Sequence, residues 1–402
     1  MTQIMSGVRI LEVAQWWFVP SAGAALRDWG AEIIKVEHPT QGDPQRGLMT
    51  SGLVTGGTGV NFMCEQPNRG KKSIGIDIKT EGGLELLYQL AEKSDVFLTS
   101  FLPALRERLR IDIEHIRARN PNIIYVRGTG HGVKGPDIDK AGYDGTSYWC
   151  RSGMAYAMTR PDADLPAGPR PAFGDGVGGL TIAGGIAGAL YHRERTGEAT
   201  VVDVSLLATA MWQLAPDIDI SQVVDTRAAG GRARPANPVV NSYRTKDDRW
   251  IQLILLQADR DWPDFCEHIG RPDLIDHTDF ANMQLRQQNA EACVATLDEV
   301  FSSRDLAEWR EKLDTMRGAW TPIQTPREAI DDPQTVANGY MSEVTGADGK
   351  TFKLVANPVQ YDEESYTLDP APEHGQNTEE ILLEMGLSWE QIVAHKEAGA
   401  IL

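Results

Sequence analysis

Four cysteines in 402 residues, Cys64, Cys150, Cys266 and Cys293, are few, and none stands in CxxC spacing. That scarcity speaks against a disulfide framework and a thiolate zinc site, and it implies reduced thiols in a cytoplasmic protein. The eight histidines are dispersed, without HExxH or any paired spacing, so no metal is expected. Positive charge is short as well: 39 Lys and Arg against 57 Asp and Glu leave a formal charge of -18. Nucleic acid and anionic membranes both reward a basic surface, so neither is an expected partner. The opening MTQIMSGVRILEV lacks a basic stretch followed by a long apolar core, and no signal peptide is expected. The most apolar long segment, Leu180–Tyr191, has 12 residues, too few to span a bilayer. Low-complexity tracts and internal repeats are missing too.

What is present is an ordinary globular composition, 41% hydrophobic and 24% charged, in a chain long enough for two or more domains. Strand and helix signals alternate over the first 130 residues. Short apolar strands are predicted at VRILEV, EIIKVE, SIGIDI, DVFLTS and IIYVRG, with helices at Ser21–Ala31, after Thr80 and around DIEHIRARN. This alternation predicts an α/β fold with a mostly parallel, doubly wound sheet. A Gly/Ala-rich helix is predicted over Gly174–Arg195, followed by a strand running into a helix at VVDVSLLATAMWQL. The texture changes at DTRAAGGRARPANP, a candidate boundary. A large domain is therefore expected from 1–225 with 326–402, and a smaller α+β domain from 226–325. The tail reads as two short helices, the second opening with a capping box from Ser388 to Gln391.

Two glycine-rich stretches bear on chemistry. RGTGHGVKG follows a strand and resembles a dinucleotide fingerprint, but Pro136 and a polar loop stand where that motif needs a helix N-terminus. No nicotinamide site is expected. The second stretch, AFGDGVGGLTIAGG, sets a single acid, Asp175, where a long helix begins. One reading is an N-cap, worth ~1 kcal/mol. Against it, glycines at 176, 178 and 179 weaken the first turns by up to ~1 kcal/mol each. Bare backbone admits a bulky group and leaves N–H groups for an oxyanion. A helix N-terminus also favours an ionised carboxylate at neutral pH, a poor base but a usable nucleophile towards an activated acyl group. Both readings stand on these residues alone.

Several motifs, in order, resemble the family III coenzyme A transferases, which include the formyl-CoA and carnitine CoA transferases. They are GVRILEVAQ with PSAGAALRDWGAEIIKVEHPTQGDPQR, NRGKKSIGIDIKTEGG, NPNIIYVRGTGHGVKG, AFGDGVGGLTIAGGIAGALYHRERTGEATVVDVSL and HGQNTEEILLEMGLS. The resemblance implies a Rossmann-like large domain, an interlocked homodimer, and transfer of CoA from an acyl-CoA to a carboxylic acid. Asp175 falls on the family's catalytic aspartate, which carries anhydride and thioester intermediates. Tyr143 stands where the related α-methylacyl-CoA racemases have histidine; a phenol, with a pKa of about 10, is a poor replacement in proton transfer. Asp144 falls on a second carboxylate of formyl-CoA transferase, and it either assists acyl chemistry or starts a turn. By the same resemblance Ala14, Lys71, Lys72, Phe101, Arg108 and Lys140 lie along coenzyme A, although surface charge is the simpler reading of Lys71 and Lys72. Trp17, His38 and Ser100 are assigned to the coenzyme as well, each replacing a different family residue, and the glycine-rich flap is missing from LLQADRDW. Formate and oxalate are therefore doubtful substrates. The aromatic residues Trp16, Trp17, Phe18, Trp149 and Tyr156 suit a bulky acyl group or the core, the core being favoured. An acyl-CoA epimerase and a non-catalytic acyl-CoA binding protein remain as alternatives.

Overall fold

A computed structural model describes residues 2–48, 59–160, 163–224 and 231–402. The chain divides into two compact units. One comprises Met1–Met158, Pro166–Ile218 and Pro333–Leu402; the other comprises Asp219–Asp332 with Thr159–Leu165. The division falls at 219 and 332, where texture placed it at 226 and 325. The first residues of the DTRAAGG loop lie outside the described residues.

The larger unit is built on six strands: β1 (Arg9–Val13), β2 (Glu32–Glu37), β3 (Lys72–Gly75), β4 (Val96–Thr99), β5 (Ile124–Thr129) and β6 (Val201–Ser205). Their order is β3-β2-β1-β4-β5-β6 and every neighbouring pair is parallel. Register aligns Leu11 with Ile34 on one side and with Phe97 on the other. Ile10, Ile33, Val96 and Ile124 enter one core; Leu11, Ile34, Phe97 and Tyr125 enter the other. Burial on both faces is why these strands read as short continuous apolar runs rather than alternating ones. The helices Phe18–Asp28 and Phe173–Thr196 cover the first face. Helices Glu81–Glu92 and Ile113–Arg119 cover the second, joined there by Ile381, Leu382 and Ile392 of the two C-terminal helices. The capping box at Ser388 forms as predicted. In the smaller unit an antiparallel sheet, β7 (Val240–Arg244), β8 (Trp250–Ile254) and β9 (Ala319–Pro322), packs on a core of Trp262, Phe265, Leu297, Phe301 and Trp309. A hairpin of β10 (Met341–Thr345) and β11 (Thr351–Val355) completes the larger unit.

Strand order locates the crevice. Winding runs outward from β1 through β2 to β3, then restarts on the other side of β1 at β4. Beyond the carboxyl ends of β1 and β4 the two connections diverge, and open α/β sheets bind ligands there. Ala14 follows β1, and Ser100 with Phe101 follows β4.

The helix Phe173–Thr196 has 24 residues, twice the apolar run seen in the sequence, and by length and composition it is long enough to cross a bilayer. Its buried face instead packs on the Phe18–Asp28 helix. A Cβ on Gly179 would lie 1.9 Å from Ser21 Oγ and 3.0 Å from the backbone of Phe18 and Ala22; one on Gly178 would lie 2.4 Å from the Phe18 ring. These glycines permit close helix contact and do not bare the backbone for a ligand. Gly176 differs, because a Cβ there meets nothing within 4 Å. Gly179→Ala is expected to destabilise the protein by about 1–3 kcal/mol through overpacking. Gly176→Ala is expected to stabilise it by up to about 1 kcal/mol. Urea titration of the two variants checks the contrast.

Candidate active site

The long helix opens on Ala172, held at φ 54 and making no side-chain cap. Asp175 is the third helical residue, inside the first turn, so it is not the N-cap. The capping bonds come instead from Asp144, 8% exposed, whose Oδ1 accepts the Gly174 N–H at 3.0 Å and whose carboxylate also takes the Phe173 N–H. Asp144 begins the helical segment Asp144–Cys150 as well. It therefore caps one helix and starts another.

The Asp175 carboxylate is half-buried, and among the described residues no hydrogen bond or ion pair engages it. Burial, and next the charge of Asp144, push its pKa up from 3.8 to about 7. The helix terminus predicted a fully ionised acid, and the structure corrects this. A helix end contributes ~0.3–1 kcal/mol at an exposed site, whereas each pH unit of displacement represents about 1.4 kcal/mol. At neutral pH Asp175 is shared between its two forms.

Three segments meet at this turn. Ser21, on the first helix, donates its hydroxyl to the Asp175 carbonyl at 3.2 Å. Gly174 lies against the Tyr148 ring, where a Cβ would come within 2.2 Å. Gly130, at the end of β5, meets Gly142 backbone to backbone, a Cβ on either falling within 2.8 Å of the other's Cα. The glycines that mimic a dinucleotide fingerprint thus seat the loop carrying Tyr143 and Asp144. Of the aromatics, Phe18 and Trp149 are core at 8% exposure each, and Tyr156 is exposed. Trp17 stands at the N-terminus of the first helix, half-buried. Trp16 meets Tyr143 edge to face at 5.9 Å. Phe173, 45% exposed, leans on Trp149 at 5.9 Å.

Four of the residues assigned to coenzyme A come together. Ala14, His38, Phe101 and Arg108 line one cavity of about 260 Å³ at the carboxyl ends of β1 and β4. Ser100 stands beside it, its hydroxyl accepting the Gln15 N–H at 3.1 Å. Lys79 and Asp77 line the same cavity and were missed. Their signal was available: they follow β3, at the strand end where ligands bind. Neither Lys79 nor Arg108 is in an ion pair among the described residues, so two free cations face the cavity.

The other lysines lie elsewhere. Lys71 is neither a surface charge nor a cavity residue. Its ammonium is buried, donating to both Glu12 oxygens at 2.9 and 2.8 Å, to Pro20 O at 2.8 Å and to Asn68 Oδ1 at 3.3 Å. Lys72 pairs on the surface with Glu32, Glu380 and Glu384. Lys140 pairs with Asp137 at 2.6 Å in an exposed loop.

Known proteins resemble this chain over most of its length. A model of CoA-transferase family III matches residues 5–378. The chain is 31% identical over 401 residues to the (R)-2-hydroxy-4-methylpentanoate CoA-transferase of Clostridioides difficile, covering 99% of each. It is 29% identical to the cinnamoyl-CoA:phenyllactate CoA-transferase of Clostridium sporogenes, covering 97% of this chain and 95% of that one. A solved CAIB/BAIF family protein from Brucella suis superposes with a TM-score of 0.82 at 26% identity, over 96% of this chain and 100% of the other. A free carboxylate at the head of a long helix, in a Rossmann-like unit matched almost end to end, thus belongs to CoA-transferase family III, and the chain is an enzyme that moves coenzyme A between an acyl-CoA and a carboxylate.

Proposed function

We propose that Asp175 carries the transfer as a covalent nucleophile. An Asp175 oxygen attacks the thioester carbonyl, forming a mixed anhydride and releasing CoA thiolate. The thiolate then attacks the Asp175 acyl carbon, frees the first acid and leaves an aspartyl-CoA thioester. The acceptor carboxylate displaces thiolate from that thioester to form a second anhydride. Thiolate attack on the acceptor's acyl carbon then gives the new acyl-CoA and restores Asp175. No net proton is consumed, because each attacking group and each leaving group is a carboxylate or a thiolate. The observation that carries this reading is that Asp175 has no ion pair or hydrogen bond to hold it back among the described residues.

The nucleotide end of coenzyme A fits the cavity of Ala14, His38, Phe101 and Arg108, where Arg108 and Lys79 offer cations to phosphate. The acid exchanged is one with a branched or aromatic side chain, the class named for two relatives, and Trp16, Tyr143 and Phe173 suit it. The family resemblance also supports an interlocked homodimer, and the four scattered cysteines support a cytoplasmic location. A second copy would cover Val177 and Tyr191 on the long helix and Trp212, which is 85% exposed.

Incubation with an acyl-CoA and hydroxylamine, followed by peptide mass spectrometry, tests the mechanism. A hydroxamate on Asp175 is expected. Transfer that proceeds with no such adduct would overturn the covalent role of Asp175.

A further inference from the structure

The loop between β1 and the first helix is strained beside the site. Trp16 sits at φ 70, in the left-handed region that a bulky side chain seldom enters. Its N–H is held by Asp43 Oδ1 at 3.1 Å, and the Gln15 N–H by Ser100 Oγ at 3.1 Å. Asp43 cannot yield easily. It is 2% exposed, its Oδ2 pairs with buried Lys35 at 2.8 Å, and its Oδ1 also accepts the Gln45 N–H at 2.9 Å. Strain that the surroundings over-determine in this way clusters at functional sites.

What the strained peptide achieves is the direction of the indole. It meets Tyr143 edge to face, centroids 5.9 Å apart and planes at 89°. Tyr143 precedes Asp144, which caps the turn holding Asp175. Trp16 precedes the first helix, whose Ser21 touches the Asp175 backbone. The pair bridges the two segments that contact this turn. Neither ring is core: Tyr143 is 54% exposed and Trp16 half-buried, unlike Phe18 and Trp149.

We propose that Trp16 is a specificity-determining residue: its indole, braced on Tyr143, is the apolar wall against which the acyl group lies during attack, selecting branched and aromatic acyl groups over acetyl. The proposal rests on Asp175 as nucleophile.

The test compares the wild type with Trp16→Gly and Trp16→Phe. Glycine accepts φ 70 freely, so the fold is retained while the wall is removed. The rate of Asp175 hydroxamate formation is measured with 4-methylpentanoyl-CoA, 3-phenylpropanoyl-CoA and acetyl-CoA. Trp16→Gly is expected to slow the two large donors about 10- to 100-fold while leaving acetyl-CoA within about threefold. Trp16→Phe restores most of the discrimination. Equal losses for all three donors, or unchanged ratios, overturn the wall while labelling of wild-type Asp175 still supports the nucleophile. A wild type that forms no Asp175 hydroxamate with any donor overturns both.

Discussion

Asp175→Asn is expected to lower CoA transfer on the order of 10⁴-fold or more, the scale on which loss of a covalent nucleophile is felt. The amide keeps the shape of the side chain but has no anionic oxygen to bond to the thioester carbonyl. In the wild type, the second-order rate of the first acyl transfer should rise as pH passes through about 7 and level off above it, because only the carboxylate attacks. The fold should respond in the opposite sense. The folded-state pKa of Asp175 lies above its unfolded value, so its stabilising contribution is full below about pH 4 and is lost as pH rises through about 7. Removing the charge removes that penalty. Asp175→Asn should therefore be more stable than the wild type at pH 8, by at most a few kcal/mol at about 1.4 kcal/mol per pH unit, and equal to it near pH 4. An inactive variant that melts higher at pH 8 is the expected result, and pH-dependent thermal unfolding beside a transfer assay reads both. A variant that keeps turnover excludes the assignment.

Lys71→Met should damage the fold most. The ammonium stands between both oxygens of Glu12, itself 0% exposed, at the head of the first helix. Burial, only partly offset by Glu12, brings the pKa of Lys71 down to about 8, which leaves it mostly charged at neutral pH. Removing it strands Glu12 with Lys35 alone, at 3.2 Å. Breaking a buried pair by deleting one partner destabilises by about 3–5 kcal/mol, and Lys35 holds the expectation to the lower end of that range. The neighbouring Lys72→Met should change stability by less than about 1 kcal/mol, because its three carboxylate partners lie at the surface. Urea midpoints of the two variants make the comparison. Equal midpoints would show that the Glu12 cluster does not hold the first helix in place.

The contrast between adjacent lysines shows where sequence reading stops. KK at 71 and 72 carries no mark of which side chain turns inward. Lys71 just precedes β3 and turns towards Glu12 while Lys72, the first residue of the strand, turns to the surface, and only the pairing of β1, β2 and β3 puts an acid within reach of the first. The same holds for Asp144 and Asp175. Both are acids beside glycines, and a cap is one of two readings the sequence allows for the second, yet it is the first that reaches across 30 residues to bond Gly174. The glycines misled in a related way, because their meaning depends on what lies opposite: Ser21 and Phe18 for Gly179 and Gly178, open space for Gly176.

By itself the sequence determined the alternation of strands and helices, the parallel sheet, the helix that presents Asp175 and the family. These rest on local apolar periodicity, turn residues and motif order, which are written within a few residues of each other. Tertiary structure alone decided which lysine is buried, which acid caps, and that Asp175 titrates near neutrality. Each of these is a matter of solvent exclusion and charge proximity between residues far apart in the chain. Such terms exist only once the strands have been ordered and the helices laid upon them.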